Sequence, residues 1–245
     1  MGADGREAWR VYARPFDGKD RRPRIALVVY GLGISAAATE AAIQGLPGAI
    51  TLAFSPYGDE LNTWIGKARA AGHEVMLMAP MEPDNYPVFD PGPQGLLTSL
   101  QPTQNVERLE WMLSRATGSI GVVSHLGSRF TASRRHMAPV LRELKRRGLM
   151  YLDSHGGGVP VEVANRVGVP FAASAFFVDD RAARDAIDRR LDQIEQLARR
   201  SGRAVALGYS YPVTLERVAA WAQTVEERGF VLAPVSALAR RVEPK

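Results

Sequence analysis

The sequence predicts an α/β fold in which mostly parallel strands form a distorted barrel of the (β/α)7 type. Three observations support this prediction. Residues 24–30 form a nearly continuous apolar run, which is typical of a strand buried on both faces. Strand-like runs then alternate with helix-like segments along the whole chain, an order that favours a parallel sheet. The number of these units in one chain favours a closed barrel over an open sheet.

The predicted elements follow one another in a regular order. Residues 1–23 are polar and rich in Arg, Asp, Gly and Pro, which predicts an irregular arm or the end of a linker. A barrel domain at 24–240 and a tail at 241–245 follow. The predicted strands are 24–30, 49–54, 74–78, 120–123, 150–152, 171–173, 204–207 and 231–233. The predicted helices begin after the cap Ser35 and then lie at 59–71, 103–116 with Thr103 as its cap, 133–147, 159–167, 181–200 and 213–228.

Composition excludes several classes of protein. The chain of 245 residues is 46% hydrophobic and 23% charged, which is ordinary for a globular domain. It has no cysteine, so it forms no disulfide and no thiolate metal site. No apolar run reaches the roughly 18–20 residues of a membrane span, and no apolar signal segment follows the first residues. The net charge of +5 predicts a solvated basic surface, with weak attraction to anionic polymers or lipid headgroups as the alternative.

Candidate functional residues follow the predicted strands. The carboxyl ends of the strands in a parallel barrel meet on one face, where sites are usually built. His125 ends one strand just before a glycine turn and is the central candidate. Residues 80–93 are too long for a plain connection, so we expect a functional loop at this face. The candidate catalytic residues are His125 and Asp153, and the candidate ligand-binding residues are Tyr30, Tyr57, Glu82, Ser124, Arg129, His155, Tyr209 and Tyr211.

Two kinds of chemistry are open to these residues. His125 and His155, with Glu82 or Asp153, could hold a zinc-type ion and leave one position for water. The tyrosines could form a wall that stacks on sugar rings. The structural alternative is a hydrogen-bonded His at a strand end and an Asp153 that caps a turn. The remaining histidines are predicted to be structural (His73) and solvated (His136).

A family resemblance rests on several motifs taken together. They are Arg24-Ile-Ala-Leu-Val-Val29, Ile50-Thr-Leu-Ala-Phe-Ser-Pro-Tyr57, Ala71-Gly-His-Glu-Val-Met-Leu77, Pro80-Met-Glu-Pro83, Gly92-Pro93, Ser124-His-Leu-Gly-Ser-Arg-Phe130, Gly148-Leu-Met-Tyr-Leu-Asp-Ser154 and Ala233-Pro-Val-Ser236. Over residues 24–240 this pattern resembles the divergent polysaccharide deacetylases, the YibQ-like group related to NodB-type carbohydrate esterases. The resemblance implies a distorted barrel of about seven strands and a divalent-metal site that hydrolyses N-acetyl groups on a glycan. It also implies export to the bacterial periplasm, with a membrane anchor that would precede this sequence.

The departures from the family pattern change the functional expectation. The pattern ends the first strand with Asp-Asp, where this chain has Tyr30-Gly31. Its later Gly-His-Pro-His-Pro segment is here Gly208-Tyr-Ser-Tyr-Pro212, so of the implied metal and base set His125 alone clearly remains. Zinc catalysis needs about three protein ligands, and tyrosine is a poor ligand unless it is ionised. We therefore expect aromatic surface in place of an ion.

Three functional hypotheses remain. The first is a degenerate, cofactor-free protein of the cell envelope that binds a glycan, for example a peptidoglycan fragment, or an envelope protein, through Tyr57, Tyr209, His125 and Arg129. The second is an active metal-dependent N-deacetylase with ligands relocated to His125, His155 and Glu82 or Asp153. The third is a dinucleotide-dependent enzyme, and this hypothesis rests only on Gly31-Leu-Gly33, which is half of a dinucleotide-binding fingerprint. We expect no nucleic-acid partner, because no such motif is present, and membrane contact only through the anchor.

Overall fold

The computed structural model describes residues 5–241, so residues 1–4 and most of the predicted tail, 242–245, lie outside the described part. Helices and strands alternate along the described chain. The strands are β1 (Arg24–Leu32), β2 (Thr51–Phe54), β3 (Val75–Met81), β4 (Gly121–Leu126), β5 (Met150–Asp153), β6 (Phe171–Ala173), β7 (Arg203–Tyr209) and β8 (Val231–Leu232). The helices are α1 (Ala8–Val11), α2 (Ala36–Gly45), α3 (Leu61–Ala70), α4 (Pro102–Ser114), α5 (Ser128–Thr131), α6 (Arg134–Arg146), α7 (Val159–Val167), α8 (Arg184–Ser201) and α9 (Pro212–Thr224).

The strands form one parallel sheet that curls into a barrel-like wall. Its order is β6-β5-β4-β3-β2-β1-β7, and β8 pairs with β1. β6 and β7 form no direct ladder; instead the segment after β6 runs along β7. There the Ala175 amide donates to the Val205 carbonyl at 2.8 Å, and the Val178 amide donates to the Leu207 carbonyl at 2.7 Å. The predicted α/β class and the parallel barrel-type sheet are confirmed, but the sheet is a half-barrel and not the closed barrel that the number of units favoured.

Alternation along β1 divides the core between the two faces of the sheet. Ile25, Leu27 and Val29 join the large cluster that includes the apolar sides of the helices. Their neighbours Val28 and Tyr30 belong to a second cluster that fills the inside of the curled sheet. Because side chains point to opposite faces in turn, Tyr30 is directed inward at the carboxyl end of β1.

The predicted arm closes the amino end of the barrel. It contains the short helix α1, and Trp9, Tyr12 and Phe16 pack against the inner cluster. The Trp9 amide donates to the carbonyl of Gly148, which lies just before β5, at 2.9 Å. Arg14 donates from its guanidinium to the Gly72 carbonyl at 2.7 Å. The arm is therefore ordered against the barrel in the described range, where we expected irregular chain.

Glu74 is the polar centre of this amino end. It is 1% exposed and lies directly before β3. One carboxylate oxygen accepts the Arg14 amide at 2.9 Å and the Ser236 hydroxyl, and the other accepts the Ser236 amide at 3.2 Å. Burial raises the pKa of Glu74 above its ordinary value. The side chain thus ties the arm and the carboxyl-terminal turn Val235–Leu238 to the sheet.

Some element boundaries differ from the prediction. β1, β3 and β4 extend further toward their carboxyl ends than the apolar runs indicated. Helix α4 begins at Pro102 and is capped by Gln101, whose backbone amide donates to the Gln104 side-chain oxygen at 2.9 Å, so the prediction of Thr103 as the cap is wrong. Among residues 5–241 we find no helix with the length and apolar character needed to cross a bilayer.

Candidate functional site at the carboxyl end of the barrel

Tyr30, Ser124 and His125 form the polar centre of the carboxyl end. The Tyr30 hydroxyl donates to the Ser124 carbonyl, with 2.8 Å between the oxygens. The same hydroxyl lies 2.9 Å from His125 Nδ1, and the two ring centroids are 5.4 Å apart. Tyr30 is 1% exposed, so its side chain is covered by protein in this structure, and its predicted ligand contact remains a prediction. Tyr30 holds the half-buried His125, which does reach the surface.

The backbone after β4 fixes the place of His125. In the β3–β4 ladder Pro80 is paired with His125 and Met81 with Leu126. The chain then reverses through two left-handed residues, Leu126 with φ 55° and Gly127 with φ 92°. A Cβ on Gly127 would lie 2.8 Å from the Cβ of Met81, so only glycine fits this turn. His125 is thereby held at the end of a paired strand and not on a mobile loop.

The environment of His125 favours a neutral imidazole. Burial, and secondarily the nearby His155, lower the pKa of His125 to about 4. At neutral pH the ring is uncharged. Burial also raises the pKa of Tyr30 well above its usual value, so its phenol keeps the proton. The centre of the site is therefore uncharged.

Three rings beside Tyr30 form an aromatic shelf, which we define as Phe177, Tyr209 and Tyr211. Tyr209 stacks on Phe177, with 5.1 Å between ring centroids and 18° between ring planes. Tyr209 also meets Tyr211 at 5.5 Å and Tyr30 edge to face at 5.5 Å. Tyr211 is 47% exposed, and the other two shelf rings are partly exposed. The shelf thus joins the inner aromatic core to the surface.

Asp179 holds the backbone of the shelf residue Tyr209 by a hydrogen bond. Its Oδ2 accepts the Tyr209 amide at 2.7 Å and the Thr214 hydroxyl at 2.7 Å. Its Oδ1 is buried without a hydrogen-bond partner among residues 5–241, and burial raises the pKa of this carboxyl. Sequence reasoning missed both Phe177 and Asp179. The available signal was the apolar run Phe176-Phe177-Val178 after the sixth strand, which continues the strand pattern.

Asp153 and Ser154 serve the neighbouring turn. Asp153 is buried and accepts the Gly157 amide at 2.8 Å, which is the turn-capping role considered as the structural alternative. Burial raises its pKa. The Ser154 amide donates to Ser124 Oγ at 2.9 Å, so Ser124 is a buried bridge between β4 and β5. His155 is exposed and lies 3.1 Å from Ser154 Oγ through Nδ1.

Three predicted ligand-binding residues hold the long loop after β3 instead. Glu82 accepts the Thr98 hydroxyl at 2.7 Å and pairs with the Arg129 guanidinium at 3.3 Å. Arg129 also donates to the Asp84 carbonyl at 2.8 Å. Tyr57 donates to the Pro91 carbonyl at 3.1 Å and packs near Trp111. These polar atoms have partners within the protein, and the ligand contacts expected of Tyr57, Glu82 and Arg129 remain predictions.

The residues present do not fit the divalent metal that the family pattern implies. A neutral, buried tyrosine stands where the pattern has a carboxylate, and the Nδ1 atom of His125 is engaged by that tyrosine. The relocated set of His125, His155 and Glu82 or Asp153 is not assembled either. Within the described range 5–241, no group of three His, Asp or Glu side chains could hold a metal ion. No metal-dependent step follows from this donor set.

The other histidines are buried. His73 lies with its two ring nitrogens 2.8 Å and 3.2 Å from the carbonyls of Ile50 and Ile43, as a structural residue would. His136 is only 6% exposed and is hydrogen-bonded to Ser133 Oγ at 2.8 Å, so its prediction as a solvated residue is wrong. The face of α6 that carries His136 packs on Phe130 of the short helix α5, which was not predicted.

Two bacterial proteins are similar to this chain in sequence. The uncharacterized protein YibQ of Escherichia coli is 27% identical over 179 residues, which are 71% of this chain and 54% of the relative. The chain therefore spans about half the length of that relative. An uncharacterized protein of Haemophilus influenzae is 26% identical over 194 residues, which are 78% of this chain and 68% of that protein.

Solved structures share the fold. An uncharacterized protein of Agrobacterium tumefaciens is 35% identical, with a TM-score of 0.92 over 97% of each chain. The catalytic domain of a peptidoglycan N-acetylglucosamine deacetylase from Eubacterium rectale has a TM-score of 0.57 at 11% identity, covering 95% of this chain and 96% of that one. A mutant CE4-family pseudoenzyme with restored enzymatic activity has a TM-score of 0.53 at 11% identity, covering 89% and 67%. The family model described as divergent polysaccharide deacetylase matches residues 27–239, and the chain belongs to that family.

Proposed function

We propose that this protein is a member of the divergent polysaccharide deacetylase family that binds a glycan without hydrolysing it. The hydrogen bond between Tyr30 and His125 carries the proposal. In this bond Tyr30, a neutral aromatic residue, stands at the position where the family pattern supplies a carboxylate. Its partner, His125, is the one histidine of that pattern that this chain retains.

The exposed side of the site suits a sugar ring. Sugar rings stack their apolar faces on aromatic side chains and make hydrogen bonds at their rims. The shelf supplies the aromatic surface through Tyr209 and Tyr211, and His125 supplies a polar group beside it. Peptidoglycan is the glycan we favour, because the name of a structural relative includes it and the resemblance implies work on envelope polymers.

The ionisable side chains at the site are poorly suited to catalysing hydrolysis. A general base works best with a pKa near the working pH, whereas the pKa of His125 is lowered to about 4. The nearby carboxylates are committed elsewhere: Asp153 holds a turn and Asp179 holds the shelf. These contacts support binding over catalysis.

The cellular setting is a further part of the proposal. We place the protein in the periplasm, as the family resemblance implies, with an envelope protein as the alternative occupant of the same face. Fractionation of cells that express the full-length gene product tests the location, and recovery in the cytosol would contradict it.

Titration with chitotetraose and with purified peptidoglycan fragments tests the function. We expect binding, and we expect Tyr211→Ala to weaken it about three- to tenfold, because one aromatic contact is worth roughly 0.5–1.5 kcal/mol. Phe89→Ala is the matched control, since Phe89 is a comparably exposed ring on the loop after β3. No binding, or equal losses in both variants, would contradict the proposal, and acetate release by the wild type would favour the hydrolase alternative.

A further inference from the structure

The hydrogen bonds of Tyr30 determine which nitrogen of His125 carries the proton. A backbone carbonyl can only accept, so the single hydroxyl proton of Tyr30 is donated to Ser124 at 2.8 Å. The hydroxyl oxygen can then only accept from His125 Nδ1, which lies 2.9 Å away. Nδ1 of the neutral ring therefore carries the proton, and Nε2 presents a lone pair.

The second nitrogen of His125 is open toward solvent. Among the described residues 5–241, the His125 ring makes one hydrogen bond, through Nδ1. Nε2 is also absent from the buried polar atoms without a partner in this range, so it is not enclosed by protein. A half-buried acceptor with no protein partner beside exposed aromatic rings is a place where a ligand atom can bind.

We infer that His125 Nε2 accepts a hydrogen bond from the ligand, and that Tyr30 is the positioning residue that holds this tautomer. The inference rests on the proposed function and names the ligand class more closely. The ligand presents a hydroxyl or an amide N–H at the edge of an uncharged sugar ring whose face lies on the shelf. A carboxylate at this point would set its lone pairs against that of Nε2 and would be rejected.

Nitrogen-15 NMR of the imidazole rings at neutral pH tests the tautomer without any ligand. We expect the His125 resonances of an Nδ1-protonated neutral ring, assigned by comparison with His125→Gln. Tyr30→Phe removes the bridging hydroxyl and should give a mixture of tautomers, while Tyr12→Phe at the amino end of the barrel, the matched control, should leave the His125 resonances unchanged. An Nε2-protonated ring in the wild type would overturn the inference, whether or not either variant folds.

The same spectra with saturating chitotetraose test the ligand contact. We expect the Nε2 resonance to shift as it accepts a hydrogen bond while the nitrogen stays unprotonated, and Tyr30→Phe to bind at least about threefold more weakly, because a lost hydrogen bond is worth roughly 0.5–1.5 kcal/mol. Binding that leaves Nε2 unshifted would overturn the inference and leave the proposed function standing. Absence of binding would overturn the proposed function and the ligand assignment together, and the ligand-free spectrum would still decide the tautomer.

Discussion

The two ends of the barrel each carry a buried polar centre, and they differ in completeness. At the amino end both oxygens of Glu74 are used by Arg14 and Ser236, and the arm covers the site. At the carboxyl end the Tyr30 hydroxyl makes both of its hydrogen bonds within the protein, but Nε2 of the His125 that it holds has no partner among residues 5–241. A complete centre can only stabilise the fold, whereas an incomplete one at the surface can also bind.

The two ends also differ in what surrounds the polar group. The amino end is built from chain segments that are distant in sequence, namely the arm and the turn Val235–Leu238. The carboxyl end is lined by the partly exposed rings of the shelf, which pack on one another. The difference predicts that substitutions at the amino end act on stability and that those at the carboxyl end act mainly on binding.

The largest expected effect comes from Glu74→Ala. The change leaves the buried amide and hydroxyl of Ser236 and the part-buried amide of Arg14 without their acceptor. Each buried group left in this way costs about 1–3 kcal/mol, so we expect a loss of roughly 3 kcal/mol or more in the free energy of unfolding. Urea denaturation measures it. Glu216→Ala breaks an exposed ion pair with Arg184 and should cost at most about 1 kcal/mol. Equal losses in the two variants would remove the contrast between the ends.

A smaller effect is expected on lowering the pH. The unfolded chain binds a proton at His125 below about 6.5, whereas the folded chain binds it only near 4. The unfolded state therefore holds more protons in this window, and stability falls as the pH is lowered through it, by up to about 1 kcal/mol per pH unit. The difference in unfolding free energy between wild type and His125→Gln should decrease from pH about 6.5 to about 4 and stay flat above. A flat difference throughout would refute the buried, neutral His125.

A smaller loss of stability is expected from Tyr30→Phe. The ring and its packing remain, but the Ser124 carbonyl and His125 Nδ1 lose their partner, so we expect a loss of about 1–2 kcal/mol. Tyr209→Phe should cost less than about 0.5 kcal/mol, because Tyr209 is only partly buried. Thermal denaturation of both variants gives the comparison, and a larger loss for Tyr209→Phe would contradict the assigned roles.

The sequence was sufficient for the fold and for the centre of the carboxyl-end site. The apolar run of β1 and the glycine turn after β4 place Tyr30 and His125 at the ends of two strands, and the parallel topology brings them to one face. These signals are local, so they can be read along the chain. The resemblance added the expectation that aromatic surface replaces an ion.

The remaining site residues depended on contacts that are distant in sequence. Glu82, Arg129 and Tyr57 lie at the expected end, but the long loop after β3 takes up their polar groups. Asp179 becomes part of the site only because the segment after β6 lies along β7. Such pairings carry no periodic pattern, so the order of residues alone could not reveal them.

Metal content tests the central claim most directly. The protein would be purified without chelator or nickel resin and examined by elemental analysis, before and after incubation with excess zinc. We predict no stoichiometric metal in either sample, because a protonated tyrosine and a single histidine do not make a three-ligand site. Close to one metal ion per chain, lost in His125→Ala, would contradict the account and establish a metal centre at the carboxyl end of the barrel.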